Sequence, residues 1–359
     1  MQKKKEIRAM SLFAGGGIGE TYLEDIGVKT LIANELLEKR AEIHRFRFPN
    51  CEVITGDIKE NKETLINKAK ELDINLLIAT PPCQGMSSVG KRDYENDVRN
   101  YLIFDVLDII DRCNFDYVLI ENVPKFLGMK YMNKDNKLTL IADLFKERYA
   151  DRYEIAADVY NAADYGVPQT RKRTIIRLWK KGLTWDEPEK VEHQVTLREA
   201  IGDLPSLESG ESSNIKWHTA PKHPSHHVLC MKHTPTGMSA HKNPVYYPKN
   251  PDGTRIKTFK DCFKRMEWDK PANTRTMNNK GLSSSNNGHP GRPYIDKETG
   301  ETLYSDARAL TLLELFIVSS LPRDISFPDG TTDKVIRDIV GEGVPPKMME
   351  AFIKKITQN

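Results

Sequence analysis

The first 180 residues alternate short apolar runs with amphipathic stretches, and this alternation limits the possible folds more than any other feature. Strand-like runs fall at 6–13, 28–35, 51–56, 74–80, 117–123, 153–160 and 173–179. Helix-like stretches lie between them, notably 36–47, 59–72, 98–112 and 137–148. Repeated strand–helix units of this length predict an α/β fold with a doubly wound, mostly parallel sheet. Leu76-Leu77-Ile78-Ala79 and Tyr117-Val118-Leu119-Ile120 are apolar throughout, as strands covered on both faces must be. Ligands of such sheets bind at the carboxyl ends of the strands, so the residues just after each run are the ones to inspect.

Beyond residue 180 the pattern breaks. From 181 to 275 Pro, His, Ser, Asn and Lys dominate and apolar periodicity is weak, which predicts a second, smaller, loop-rich domain. Helical periodicity returns at 310–318, near 332–340 and at 346–356, so 276–359 is read as a return to the domain formed by 1–180. Hydrophobic residues make up 38% and charged residues 29%, a soluble globular balance with no apolar run long enough to span a membrane. Polar Glu6 and Arg8 follow the basic start, which is no signal-peptide core. Five scattered cysteines (51, 83, 113, 230 and 262) without a C-x-x-C pair fit a reducing cytoplasm. The net charge of +3 is uneven: residues 171–280 hold 21 Lys and Arg against 12 Asp and Glu, an excess of +9. A basic middle segment on an acidic body suggests a polyanionic partner, with a solvated loop surface as the plain alternative.

Five strand ends carry chemistry-bearing residues. Phe13-Ala14-Gly15-Gly16-Gly17-Ile18-Gly19 follows the first run, where glycines allow a ligand to approach the backbone. Glu35 ends the second run, where an acid can hold ribose hydroxyls. Taken alone, this pair fits NAD, FAD or S-adenosylmethionine. Asp57 ends the third run and can address an adenine amino group or cap the helix that follows. Thr80-Pro81-Pro82-Cys83-Gln84 follows the fourth run and Glu121-Asn122-Val123 ends the fifth. A thiol and a carboxyl at one sheet edge suggest a nucleophile with an acid partner, although a lone cysteine is more often an inert buried hydrophobe.

The ordered set FAGGG, NE at 34–35, GDI at 56–58, PPCQG, DVRNYL at 97–102, ENV, QTRKR at 169–173, RALTLLE at 308–314 and GEGVPP at 341–346 resembles the DNA cytosine-5 methyltransferases of the restriction–modification type. The resemblance runs from about residue 6 to 356, and 181–275 falls where that family keeps its DNA target-recognition domain. It implies the S-adenosylmethionine-dependent methyltransferase fold. It also implies that Cys83 attacks carbon 6 of cytosine, and that Glu121, as a protonated carboxyl, serves ring nitrogen 3. Arg173 would contact the base carbonyl, and Arg171 would be a supporting arginine. For the cofactor it implies that Phe13 stacks on adenine, Gly15 and Gly17 line the methionine portion and Glu35 binds the ribose. Asp57 and Ile58 would meet the adenine, and Pro82 and Leu102 would contact the cofactor. Gln84, Ser87 and Arg99, in or beside a loop at 84–99 that closes over DNA, and Thr274 and Arg275 would touch the duplex. The expected partners are double-stranded DNA and, functionally, a cognate restriction endonuclease, with the chain a monomer.

Three positions depart from the family pattern: Ser11 where Asp is common, Ile18 for the second glycine of a pair, and Glu342 where Asn is usual, leaving Glu342 as a candidate for the methionine ammonium. Six of nine histidines crowd into 218–241 near Cys230, but the spacing matches no standard zinc pattern, so no metal is expected. A tRNA cytosine-5 methyltransferase is the main alternative, and PPCQGMSS favours the DNA branch over it. A nucleotide-dependent oxidoreductase would leave PCQ and QTRKR unexplained. A non-catalytic DNA-binding regulator would have to fit a chain that starts directly at the cofactor loop.

Overall fold

The computed structural model describes residues 6–82, 101–132, 137–250, 252–256, 261–284 and 287–358. The chain forms two compact units. The first comprises Met1–Ala162, Lys172–Lys190 and Pro346–Asn359; the second comprises Ala163–Arg171 and Val191–Pro345.

In the first unit the elements run β1 (Ile7–Leu12), β2 (Val28–Glu35), α1 (Glu38–Arg47), β3 (Glu52–Thr55), α2 (Ile58–Glu71), β4 (Leu76–Ala79), α3 (Leu102–Arg112), β5 (Tyr117–Asn122), β6 (Lys130–Met132), β7 (Leu138–Leu140), α4 (Ile141–Tyr149), β8 (Tyr153–Asn161) and β9 (Lys172–Lys180). Seven strands form one sheet in the order β3-β2-β1-β4-β5-β9-β8. The first five are mutually parallel, and β9 runs antiparallel to both its neighbours. The mostly parallel α/β sheet expected from the sequence is therefore what forms. The strand order reverses between β1 and β4, the kind of switch point at which open sheets bind ligands.

The helices form for local reasons. Asp57 caps α2, its Oδ1 accepting from Lys59 N at 2.9 Å, and Ile58, Leu65, Ile66 and Ala69 give that helix one buried face. Helix α3 buries Ile103, Val106, Leu107, Ile109 and Ile110 in the same core as Leu77, Val118 and Ile120 of the sheet. The expected helix at 137–148 starts at Ile141 instead, because Leu138–Leu140 pairs with Lys130–Met132 as a small antiparallel hairpin. That hairpin was missed because its polar, Asn- and Lys-rich connection reads as a loop.

The second unit contains α5 (Leu197–Ile201), α6 (Ser225–Lys232), an antiparallel pair β10 (Pro293–Ile295) and β11 (Thr302–Tyr304), α7 (Leu312–Val318) and α8 (Asp333–Glu342). With so little regular structure, many backbone carbonyls have no ladder partner. Arginines supply the donors instead. Buried Arg265 donates to carbonyls of Met231, His289, Tyr304 and Asp306 at 2.9–3.3 Å. Buried Arg308 binds Glu314 through both terminal nitrogens (2.7 and 2.9 Å), and Glu314 also closes a capping box with Thr311 at the start of α7. The last helix, α9 (Pro346–Thr357), belongs to the first unit, where Phe352 accepts from Trp185 Nε1 at 2.8 Å and meets Tyr160 edge-on.

Candidate active site

Register sets out the site of the first unit. Asn34, Leu12, Ala79 and Ile120 stand side by side on β2, β1, β4 and β5. The next residues along the chain are Glu35, Phe13, Thr80 and Glu121, so three candidate residues and the start of the Thr80–Gln84 segment form one row along the carboxyl edge. Side chains fix this row. Thr80 Oγ1 donates to Phe13 O at 3.1 Å, tying the ends of β4 and β1. Asn122 Nδ2 donates to Pro81 O at 3.1 Å, so the ENV asparagine holds the segment that leads to Cys83. Asn34 does the same for the β3 end through Ile54 O and Gly56 O. These three tethering roles were not foreseen; the polar residue at the end of an apolar run was their only sequence signal.

Glu35 is buried, yet both its oxygens are engaged: Oε2 accepts from Gly15 N at 2.9 Å and Oε1 from Leu37 N at 3.0 Å. The glycine loop is therefore pinned to the acid twenty residues on. Phe13, Gly15 and Gly17 all have positive φ (59°, 56° and 68°). For Phe13 that backbone costs on the order of 1–3 kcal/mol and persists only where the surroundings enforce it. A Cβ built at Gly15 would meet nothing within 4 Å, so the loop faces open space beside Glu35. Ile58 is buried at the start of α2, and Leu102 is half-buried at the start of α3. Pro82 is half-buried at the last described residue before Cys83.

Glu121 is buried at the end of β5 and pairs with Arg173 of β9, Nε to Oε1 at 2.8 Å. Arg173 also donates to Lys172 O. Antiparallel pairing sets Glu121 opposite Ile175, which brings the QTRKR segment back to the ENV segment.

The remaining candidates divide. Cys83, Gln84, Ser87 and Arg99 lie outside the described residues. Arg171 is buried in the second unit, donating to carbonyls of Arg275, Gly341 and Glu342 at 2.7–3.0 Å. Glu342 ends α8. Thr274 is exposed, its hydroxyl donating to Thr170 O at 2.7 Å. Arg275 is buried, bonded to Asn273 O and Asn287 Oδ1, and so presents nothing to a duplex in this form. The charge argument shrinks accordingly. Among the described residues Arg171, Arg177, Arg265 and Arg275 are buried, which leaves at most 17 of the 21 cations in 171–280 to face the 12 acids.

Of the six histidines in 218–241 one, His218, is buried, as is His289 outside that cluster. His218 and His289 each approach Glu314 Oε1 at 3.6 Å, and His223 Nε2 accepts from Ala309 N at 3.1 Å. Among the described residues no group of three or more His, Cys, Asp or Glu is placed to hold a metal ion. No helix among them is long and apolar enough to cross a membrane.

A family model described as C-5 cytosine-specific DNA methylase matches residues 7–358. The chain belongs to that family. It is 44% identical over 359 residues to the Type II methyltransferase M1.HgaI of Avibacterium volantium, covering 98% of this chain and 99% of that protein. To the Type II methyltransferase M1.HphI of Haemophilus parahaemolyticus it is 26% identical over 352 residues, covering 97% and 86%. Among solved structures, an E. coli prophage protein described as a DNA modification methyltransferase superposes with a TM-score of 0.70 at 18% identity, covering 98% and 99% of the two chains. DNMT2 of Spodoptera frugiperda gives 0.63 at 16%, covering 98% and 100%. At these identities the structural likeness carries the fold and no more. Membership establishes a DNA cytosine-5 methyltransferase that uses S-adenosylmethionine, with DNA rather than tRNA as substrate. The donor set fits that cofactor: a buried acid for ribose hydroxyls beside a glycine loop with open space against it.

Proposed function

We propose that Cys83, Glu121 and Arg173 carry the methyl transfer of this enzyme to carbon 5 of a cytosine in double-stranded DNA. The observation that supports this most is the buried Glu121–Arg173 pair, standing in one row with the strand end that leads to Cys83. Carbon 5 of cytosine is too weak a nucleophile to take a methyl group unaided. The Cys83 thiolate adds to carbon 6 and gives carbon 5 enamine character. Glu121 answers the charge that develops at ring nitrogen 3, and Arg173 the charge at the neighbouring carbonyl. In the pair, Glu121 is the acceptor, so serving nitrogen 3 requires that it gain a proton as the base arrives. Bound S-adenosylmethionine supplies an electrophilic methyl group. Loss of the carbon-5 proton then expels Cys83 and restores the ring. Glu35, with Phe13, Gly15, Gly17, Asp57, Ile58, Pro82 and Leu102, is proposed to hold the cofactor.

Carbon 6 is attacked from above the ring plane, which stacked neighbours block, so the cytosine must leave the helix. Segment 181–275 is proposed to read the flanking sequence, with Gln84, Ser87, Arg99 and exposed Thr274 as further DNA contacts. A restriction–modification setting is proposed as well, which the Type II methyltransferase names of the bacterial relatives support; a cytoplasmic location, a cognate endonuclease as functional partner and a monomeric enzyme complete the proposal. Bisulfite sequencing of DNA from a host expressing the chain tests the reading. Protection of cytosine from bisulfite conversion at a fixed sequence context is expected, and its absence, with radiolabel entering tRNA instead, would overturn it.

A further inference from the structure

A second buried network stands behind the glycine loop, and nothing in the chemistry above uses it. Glu20, just past the loop, is buried and pairs with His44 of α1, Nε2 to Oε2 at 3.1 Å, while the hydroxyl of Ser11 on β1 also bonds its carboxylate. His44 is fully buried. One helical turn on, Arg47 reaches across the loop: Nη1 donates to Gly16 O and Nη2 to Thr21 Oγ1, both at 2.8 Å. Thr21 in turn donates to Ile18 O at 2.7 Å. The rings of His44 and Phe48 close the back of the loop so tightly that a Cβ at Gly17 would lie 2.4 Å from Phe48 Cε2 and 3.1 Å from His44 Cδ2. The loop is thus gripped on its rear side by α1 and on its front by Glu35, while Phe13, Gly15 and Gly17 keep positive φ between them. Such backbone relaxes unless its surroundings over-determine it.

We infer that Arg47 and the buried Glu20–His44 pair are positioning residues for S-adenosylmethionine, holding the glycine loop in the form that receives the methionine portion of the cofactor. The inference rests on the cofactor assignment above. A grip on Gly16 O and on the turn at 18–21 acts on loop shape before any ligand arrives. Its loss therefore raises the cost of binding and leaves the reacting groups alone.

Equilibrium titration of S-adenosylmethionine into the full chain, with melting temperature measured in parallel, tests this. Arg47→Met keeps the half-buried stem and removes the two hydrogen bonds. Its affinity is expected to fall about tenfold, within the range of lost charge-assisted hydrogen bonds, with the melting temperature held and kcat at saturating cofactor near wild type. Glu20→Gln is expected to weaken binding as well. Because Ser11 touches the Glu20 carboxylate, the double variant Ser11→Asp with Glu20→Gln returns an acid to the same pocket and is expected to recover affinity. A folded Arg47→Met with unchanged cofactor affinity overturns the inference, as does a fall in kcat with affinity intact. If the wild-type chain itself fails to bind the cofactor, the assignment beneath the inference fails instead.

Discussion

At the scale of single residues, the thiol is the sharpest test. Cys83→Ser should lose the stable adduct that wild type forms with 5-fluorocytosine DNA; an adduct persisting at wild-type level would refute the nucleophile. Cys51, Cys113, Cys230 and Cys262 are buried, and burial pushes the thiols of Cys51, Cys113 and Cys230 up, so replacing them should leave the chemistry intact. Glu35→Ala removes a buried acceptor that also pins Gly15. It should weaken S-adenosylmethionine binding by roughly 1.5–3 kcal/mol, while DNA affinity without cofactor changes little. A calorimetric titration giving the wild-type dissociation constant would exclude the role. Sequence reasoning reached these residues because each ends an apolar run. It could not tell that Arg171 and Arg275 turn inward, since an arginine that satisfies carbonyls is written with the same letter as one that meets phosphate.

At the scale of elements, the interior of the second unit carries a pH dependence. Burial, with Arg308 nearby, pushes His289 down to about 4. Burial, with His227 nearby, pushes His223 down to about 4 as well. Both imidazoles are therefore neutral in the fold, while the unfolded chain binds their protons from about pH 6.5 downward. Their stability contribution is complete above that value and is lost as the pH falls from 6.5 towards 4. Arg308 and its neighbours hold Glu314 well below the ordinary carboxylate range, against the penalty of burial, so the unfolded chain takes up that proton first and Glu314 adds to the loss at the acid end of the window, from about pH 4.5 downward. The melting temperature should drop between pH 7 and 4.5, and His289→Gln should flatten the slope. A melting temperature independent of pH in both proteins would contradict this account. Elements of this unit were poorly legible in advance because their support is side chain to backbone and leaves no periodicity to read. Two capping boxes, Thr196–Glu199 at the head of α5 and Thr311–Glu314 at the head of α7, have the local spacing that a sequence can show.

At the scale of the whole molecule, exchanging 181–275 for the matching segment of a relative with a different target should move methylation to the donor's sequence. Cofactor binding should survive the exchange. The donor segment has to keep an arginine at position 265, because that side chain holds carbonyls at 289, 304 and 306, beyond the exchanged stretch. A folded chimera that retains the original target would place specificity elsewhere. A mismatch at the target cytosine should tighten DNA binding, because an unpaired base costs less to extrude; equal affinity for matched and mismatched duplexes would count against flipping.

The alternation of apolar runs determined the parallel sheet and the strand ends that carry Phe13, Glu35, Asp57 and Glu121. These are local consequences of composition, since a strand covered on both faces must be apolar along its length and a binding group must stand just past it. The switch point, the antiparallel β9 that returns Arg173 to Glu121, and the transfer of α9 alone to the first unit were decided by tertiary structure. Asp57 shows the boundary between the two: its sequence allowed a cap or an adenine contact, and the fold shows the cap made. Strand order and the direction in which a buried arginine turns depend on pairings between residues 20 to 171 positions apart. No window of sequence carries those pairings, because their free energy exists only once both partners have left water.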